Sequence, residues 1–149
     1  VINIASYLDA ELVLFLDGRA REDVLENLVL MLDQKGRLKD KEAFLEAVIA
    51  REKLVSTGIG MGVAIPHAKL ASYDDFFIAI AILKKGVDWD SLDAAPVRIV
   101  FMIGGPDDKQ TEYLQILSRL TFALKDETRR KKMLQLSSQE EIVGLFDSV

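Results

Sequence analysis

Apolar positions along the chain show a helical texture towards both ends and a strand-like one in the middle. The segment Glu11 to Leu16 is short and apolar, which predicts a strand. After Asp17-Gly18, residues Leu25, Leu28, Val29 and Leu32 recur at i, i+3, i+4, i+7 and so build one apolar helical stripe. Gly36 stands where a left-handed cap would end that helix. Asp40 is placed to cap a second helix, with Phe44, Leu45, Val48 and Ile49 on its buried face and an end near Arg51 to Lys53.

Gly58, Gly60 and Gly62 then interrupt the helical period, and Gly62 to Pro66 predicts a short strand. Phe76 to Leu83 and Val97 to Ile103 predict two more, so continuously apolar that both faces should be covered. The turn between them holds Gly86, Asp88, Asp90 and Asp93. From Thr111 the helical period returns, with Leu114, Leu117, Leu120 and Leu124 expected inward. Another helix follows Asp126. The last opens on a capping box, Ser138 reciprocating with Glu141, ahead of Ile142, Val143, Leu145 and Phe146. The expected order is one strand, two helices, three strands and three helices. Such segregation predicts an α+β fold, a mixed β-sheet flanked by helices on both faces in three α/β/α layers. Without repeats, low-complexity stretches or linkers, residues 1–149 read as one domain.

Composition narrows the classes. Half the 149 residues are hydrophobic and 29% are charged, the balance of a globular rather than a disordered chain. The longest apolar run, Phe76 to Leu83, falls far short of the roughly 18 to 20 residues of a bilayer span, so no direct membrane insertion is expected. The N-terminus lacks the layout of a secretory signal, and it begins with Val1 rather than Met, as in a chain trimmed or excised from something larger. The absence of cysteine excludes disulfides, thiolate catalysis and cysteine-ligated zinc, and is compatible with the expected cytoplasmic location. A net charge of -5 supplies no global field for nucleic acid. Arg129-Arg130-Lys131-Lys132 would point in different directions on a helix and reads as a solvated face.

Candidate chemistry centres on the glycine-rich segment and His67, the only histidine. A dinucleotide fingerprint requires G-x-G-x-x-G, but Val63 stands where its third glycine would be, and a P-loop requires a Gly-Lys pair that the chain lacks. The segment still offers backbone able to take positive φ, with amide groups near Gly60 and Gly62 that could face an anion. Ser56 and Thr57 add hydroxyl donors, and Pro66 constrains the approach to His67. A phosphohistidine needs one free ring nitrogen, the other tied to an acceptor, and donors for the phosphoryl oxygens. Arg51 is the best-placed guanidinium. These residue types alone do not select that chemistry, since a lone histidine is more often structural and Arg51 could merely serve its helix dipole. One histidine and no cysteine leave only carboxylates as further ligands, so no metal site is expected.

The run Arg51-Glu52-Lys53, then Ser56-Thr57-Gly58-Ile59-Gly60, then Gly62-Val63-Ala64-Ile65-Pro66-His67 closely resembles an active-site signature. It is that of the phosphotransferase-system enzyme IIA domains of the fructose, mannitol and nitrogen-regulatory type. The likeness continues through Gly86-Val87-Asp88, Asp93, Pro96-Val97 and Val100-Phe101, and fades towards the C-terminus. The resemblance implies a mixed sheet sandwiched by helices. It implies that His67 accepts a phosphoryl group from phospho-HPr or a paralogue, with Arg51 stabilising the transferred group. Nε2 would be phosphorylated and Nδ1 bonded to backbone, with Ser56, Thr57, Gly60 and Gly62 as accessory donors. No metal or organic cofactor is required. Many members carry a second histidine followed by leucine; here Tyr113 precedes Leu114, and a tyrosine can donate a hydrogen bond but brings no positive charge. Tyr113 either assists from that side or simply packs over the sheet edge.

The expected function is therefore a phosphocarrier, leaning towards the regulatory nitrogen type because only one IIA domain is present. The alternatives are a fructose- or mannitol-type transport IIA that donates to a IIB domain, and a non-catalytic partner-binding module of the same fold. The donor would dock near His67, for which an apolar patch around Ile59 and Met61 would suit.

Overall fold

The computed structural model describes residues 2–149; Val1, whose identity suggested a trimmed chain, lies outside them. The centre of the fold is an antiparallel pair, β5 (Phe77–Val87) and β6 (Val97–Gly105), in register from Phe77 opposite Gly104 to Ile82 opposite Ile99, with a bulge before Val87 meets Val97. Successive side chains on a strand point to opposite faces. Phe77, Ala79, Ala81 and Leu83 with Val100 and Met102 accordingly enter one core, and Ile78, Ile80 and Ile82 with Ile99, Phe101 and Ile103 enter another. Burial of both faces is why these strands read as unbroken apolar runs.

The first core is closed by α1 (Arg21–Gln34) and α2 (Lys41–Leu54), the second by α3 (Gln110–Leu124), α4 (Glu127–Gln135) and α5 (Gln139–Gly144). The expected three layers result. Strand β1 (Val13–Leu16) lies parallel on the outer side of β5. On the free side of β6 run two short parallel strands in line, β3 (Val63–Ala64) and β4 (His67–Lys69), and β2 (Gly58–Gly60) pairs antiparallel with β3.

Local signals set most helix ends. Gly36, at φ +74°, donates to the Asp33 carbonyl at 3.0 Å, and Arg37 donates to that of Leu32 at 3.0 Å, the double bond of a Schellman stop. The Asp40 side chain accepts from the Ala43 amide at 3.1 Å, and that of Asp126 from the Thr128 amide at 2.9 Å. Phe44 and Val48 of α2 are buried, with Leu45 and Ile49 half-buried beside them.

Four expectations need correction. Glu11 and Leu12 form a 3₁₀ turn (Ala10–Leu12) rather than the start of β1, because Asp9 caps it by accepting from the Glu11 amide at 2.9 Å. The strand expected at Gly62 to Pro66 is the shorter β3, and two unexpected strands flank it, β2 before and β4 after, so five rather than three follow α2. Each is too short to show a period, and Pro66, lacking an N–H, separates β3 from β4. Leu114 is 52% exposed; the buried stripe of α3 is Tyr113, Ile116, Leu120, Ala123 and Leu124. The α5 cap is half a box: the Glu141 amide donates to Ser138 Oγ at 3.3 Å, but that hydroxyl turns to Glu140 Oε2 at 3.1 Å.

Where β6 passes β4, two glycines make room for aromatic rings. A Cβ at Gly104 would lie 2.4 Å from Phe77 Cζ and 2.8 Å from Phe44 Cε1, and one at Gly105 would lie 2.3 Å from Phe76 Cδ1. Neither position tolerates a side chain without displacement of the ring.

Candidate active site

His67 opens β4, and its approach is held from two sides. The Ile65 amide donates to the Thr57 carbonyl at 3.0 Å, and the Pro66 carbonyl accepts from the Ile103 amide at 2.9 Å. The half-buried imidazole places Nδ1 3.3 Å from the Ile65 carbonyl oxygen. A carbonyl only accepts, so Nδ1 carries the proton and Nε2 keeps its lone pair. Burial lowers the pKa of His67 below the ordinary histidine value; the Ile65 bond opposes this, Arg51 and Lys69 lower it further, and Glu52 raises it. The neutral ring, the form with a free lone pair, is thereby favoured.

A cavity of about 300 Å³ opens beside it, lined by Ala47 and Arg51 from α2 and by His67, Ala68 and Lys69 from β4. Ala47 and Arg51 stand four apart on one helix face, and His67 and Lys69 two apart on one strand face. Arg51 Nη1 donates to the Val55 carbonyl at 2.9 Å, which commits one N–H to its own helix end and fixes the fork. Two cations and a neutral imidazole therefore share one small opening.

Tyr113, in the first turn of α3, is also there. Its ring centroid is 5.4 Å from that of His67, at a tilt of 52°. Burial raises its pKa, with Arg51 pulling the other way, so the phenol stays neutral at physiological pH. Lys69 Nζ sits 4.1 Å from the Tyr113 centroid and donates to Gln110 Oε1 at 2.8 Å. Tyr113 thus flanks the His67 ring without lining the cavity. Lys69 was missed in the sequence, where its position two residues beyond His67 is a signal only once β4 is known.

The remaining candidates lie elsewhere. The Ser56 hydroxyl donates to the Trp89 carbonyl and accepts from the Gly58 amide at 3.1 Å. Thr57 is buried, its hydroxyl donating to Glu52 Oε1 and its amide to Glu52 Oε2, both at 2.6 Å. Both hydroxyl protons are committed inside the fold, so neither side chain is an accessory donor at the cavity. Gly60 and Gly62 do take positive φ, +94° and +76°. Yet they form a turn held by Asp93, which accepts from the Met61 amide at 3.0 Å. Along β6, Val63 is opposite Ile99 and His67 opposite Ile103, an offset of roughly 13 Å at strand rise. The strand carries His67 away from the glycines. Ile59 and Met61 are exposed on that turn, whereas the apolar side chains just beyond Arg51 are Leu54 and Val55, 77% and 68% exposed. Among the described residues, no group of three or more His, Asp or Glu has a metal-binding arrangement, and no helix is long and apolar enough to cross a membrane.

Residues 6–149 match the model of the family described as phosphoenolpyruvate-dependent sugar phosphotransferase system, EIIA 2. The chain belongs to this EIIA 2 family. This IIA chain is 40% identical over 132 residues to the fructose-specific EIIABC component of Bacillus subtilis, a match covering 89% of the chain but 21% of that protein. It thus spans about a fifth of that relative's length. It is 34% identical over 150 residues to the fructose-specific EIIA component of Haloferax volcanii, covering 100% of the chain and 97% of that protein. The crystal structure of nitrogen regulatory protein IIA-Ntr from Neisseria meningitidis superimposes at a TM-score of 0.89 with 30% identity, over 96% of this chain and 98% of that one. The Escherichia coli IIA-mannitol in a complex with phosphorylated IIB-mannitol shares the fold at a TM-score of 0.79 and 21% identity, over 93% and 96%. IIA domains of this family are components of a phosphotransferase relay.

Proposed function

We propose that this IIA domain, spanning residues 1–149, is a cytoplasmic phosphocarrier. His67 Nε2 receives a phosphoryl group from the phosphohistidine of HPr or a paralogue and passes it to a second protein. One observation carries the reading: Nδ1–H is tied to the Ile65 carbonyl, which leaves the Nε2 lone pair beside a small cavity with two cations. In the transfer, that lone pair forms the N–P bond while the bond from phosphorus to the donor imidazole breaks, its electron pair returning to the donor ring. His67 keeps its Nδ1 proton throughout. Arg51 and Lys69 lie on the cavity wall, where they would stabilise charge on the equatorial phosphoryl oxygens. Tyr113 flanks the imidazole as a neutral ring.

A IIB domain is the first recipient to test, because the match at 40% identity over 132 residues is to a fructose-specific component, and a fructose-specific EIIA component matches along the whole chain. A regulatory target is the second, favoured by the close superposition on the nitrogen regulatory protein. Incubation with phosphoenolpyruvate, enzyme I and HPr from the same source should place acid-labile phosphate on His67, located by mass spectrometry and absent from His67→Gln. Addition of the cognate IIB should then discharge it. If a competent carrier leaves no label on His67, the phosphocarrier reading fails and the partner-binding module takes its place.

A further inference from the structure

Glu52 is 3% exposed, next in sequence to Arg51 and outside the cavity. A buried carboxylate survives only where donors surround it. Four do here. The Thr57 amide donates to Oε2 and the Thr57 hydroxyl to Oε1, both at 2.6 Å. The Trp89 indole donates to Oε1 at 3.2 Å, and Arg21 Nη1 lies 3.9 Å from Oε2. Arg21 Nη1 also donates to the Trp89 carbonyl at 3.3 Å, so the groups around Glu52 are themselves tied together.

What Glu52 holds leads to His67. Its two oxygens clamp Thr57 by amide and hydroxyl at once. The Thr57 carbonyl receives the Ile65 amide at 3.0 Å, and the Ile65 carbonyl faces His67 Nδ1 at 3.3 Å. We infer that Glu52 is a positioning residue for His67, acting through Thr57 and Ile65 to aim the carbonyl that keeps the proton on Nδ1. The role rests on the reading of His67 as phosphoryl acceptor. If the Ile65 carbonyl turns away, the proton can move to Nε2, and a protonated Nε2 has no lone pair with which to attack phosphorus. A carboxylate suits the position because every neighbour is a donor. Glutamine would set an N–H against one of them and force Thr57 to shift.

The chain's single histidine makes the test direct. In protein labelled with 15N-histidine, the shifts of the two ring nitrogens report the tautomer of His67 without assignment. In unphosphorylated wild type, the Nδ1–H form should dominate. Glu52→Gln should move population to the Nε2–H form and slow phosphorylation by HPr about 10- to 100-fold, the range typical when a partner that orients a working histidine is lost. Thr57→Val keeps the backbone donor and loses the hydroxyl, so it should shift both readouts in the same direction by less. A folded Glu52→Gln with the wild-type tautomer overturns the positioning role, whether its rate is normal or slowed. Should Glu52→Gln fail to fold, an unmoved tautomer in Thr57→Val overturns it instead. The tautomer is read without phosphate, so a wild type that takes no label strikes the phosphocarrier reading. A wild type that labels normally while its variants keep the tautomer strikes the positioning role alone.

Discussion

Gly104→Ala should destabilise the domain and disturb its site together. A Cβ there would meet Phe77 Cζ at 2.4 Å, Phe77 Cε2 at 2.6 Å and Phe44 Cε1 at 2.8 Å. Carbon atoms rest about 3.5 to 4.0 Å apart, so a ring or a strand must move by more than about 1 Å. The rings have little slack: Phe77 lies 5.9 Å from Phe44 and 5.8 Å from Tyr73, centroid to centroid, and all three are buried. Overpacking of this kind costs about 1–3 kcal/mol. With a urea slope of about 2 kcal/mol/M, a loss near 2 kcal/mol lowers the midpoint by roughly 1 M at unchanged slope. The fluorescence of Trp89, the only tryptophan, serves as the probe. Gly104 pairs with Ala68, the neighbour of His67, so any retreat of β6 also shifts the histidine and slows its phosphorylation. In a Phe77→Leu background the added methyl should cost less, because the crowding ring atoms are gone. An unchanged midpoint in the single variant, or equal costs in both backgrounds, would refute the packing argument.

The remaining predictions concern charge, register and capping. Burial first, then Arg51 and Lys69, holds the folded pKa of His67 below its ordinary 6.5, so the unfolded chain binds the proton more tightly. This contribution to stability is complete above pH 6.5 and is lost as the pH falls towards the folded value; denaturation midpoints should decline across that window in wild type and less in His67→Gln. Lys69→Gln should raise the His67 pKa, followed by NMR titration, and slow phosphorylation; an unmoved pKa would place the Lys69 charge away from the ring. Leu120→Ala should cost about 2–5 kcal/mol, whereas Leu114→Ala should stay within about 0.5 kcal/mol, and equal losses in denaturant melts would contradict the observed face of α3. Asp40→Ala should cost about 1 kcal/mol in the same melts through loss of the α2 cap.

What could be read in the sequence was written locally or by two-sided burial. Gly36, Asp40 and Asp126 act within a few residues of themselves, so their caps were visible. The apolar runs of β5 and β6 were visible because both faces pack. Strand β3 fell within the expected Gly62 to Pro66, but β2 and β4 were not visible, because a three-residue strand exists only through its partner. The face of α3 was misjudged because its leucines suggested one stripe while Tyr113 and Ile116 made another. At the site, the signature brought out His67 and Arg51. The direction of the Ser56 and Thr57 hydroxyls depended on Glu52 and Trp89, which no local pattern connects. Lys69 has no signal of its own in the sequence, since the expected strand ends at Pro66, before the periodicity that pairs it with His67 begins.

The in-line placement of β3 and β4 along β6 also has a consequence in time. A chain emerging from the ribosome releases His67 well before Ile103 to Gly105, the residues that β4 pairs with. Until then, β4 lacks a strand to lie on. Strands β5 and β6, joined by one short connection, can meet early, whereas the parallel pairings close long loops and form later. His67 is thus synthesised early and seated late, and a nascent chain halted before Gly105 would carry it without the strand that β4 lies on.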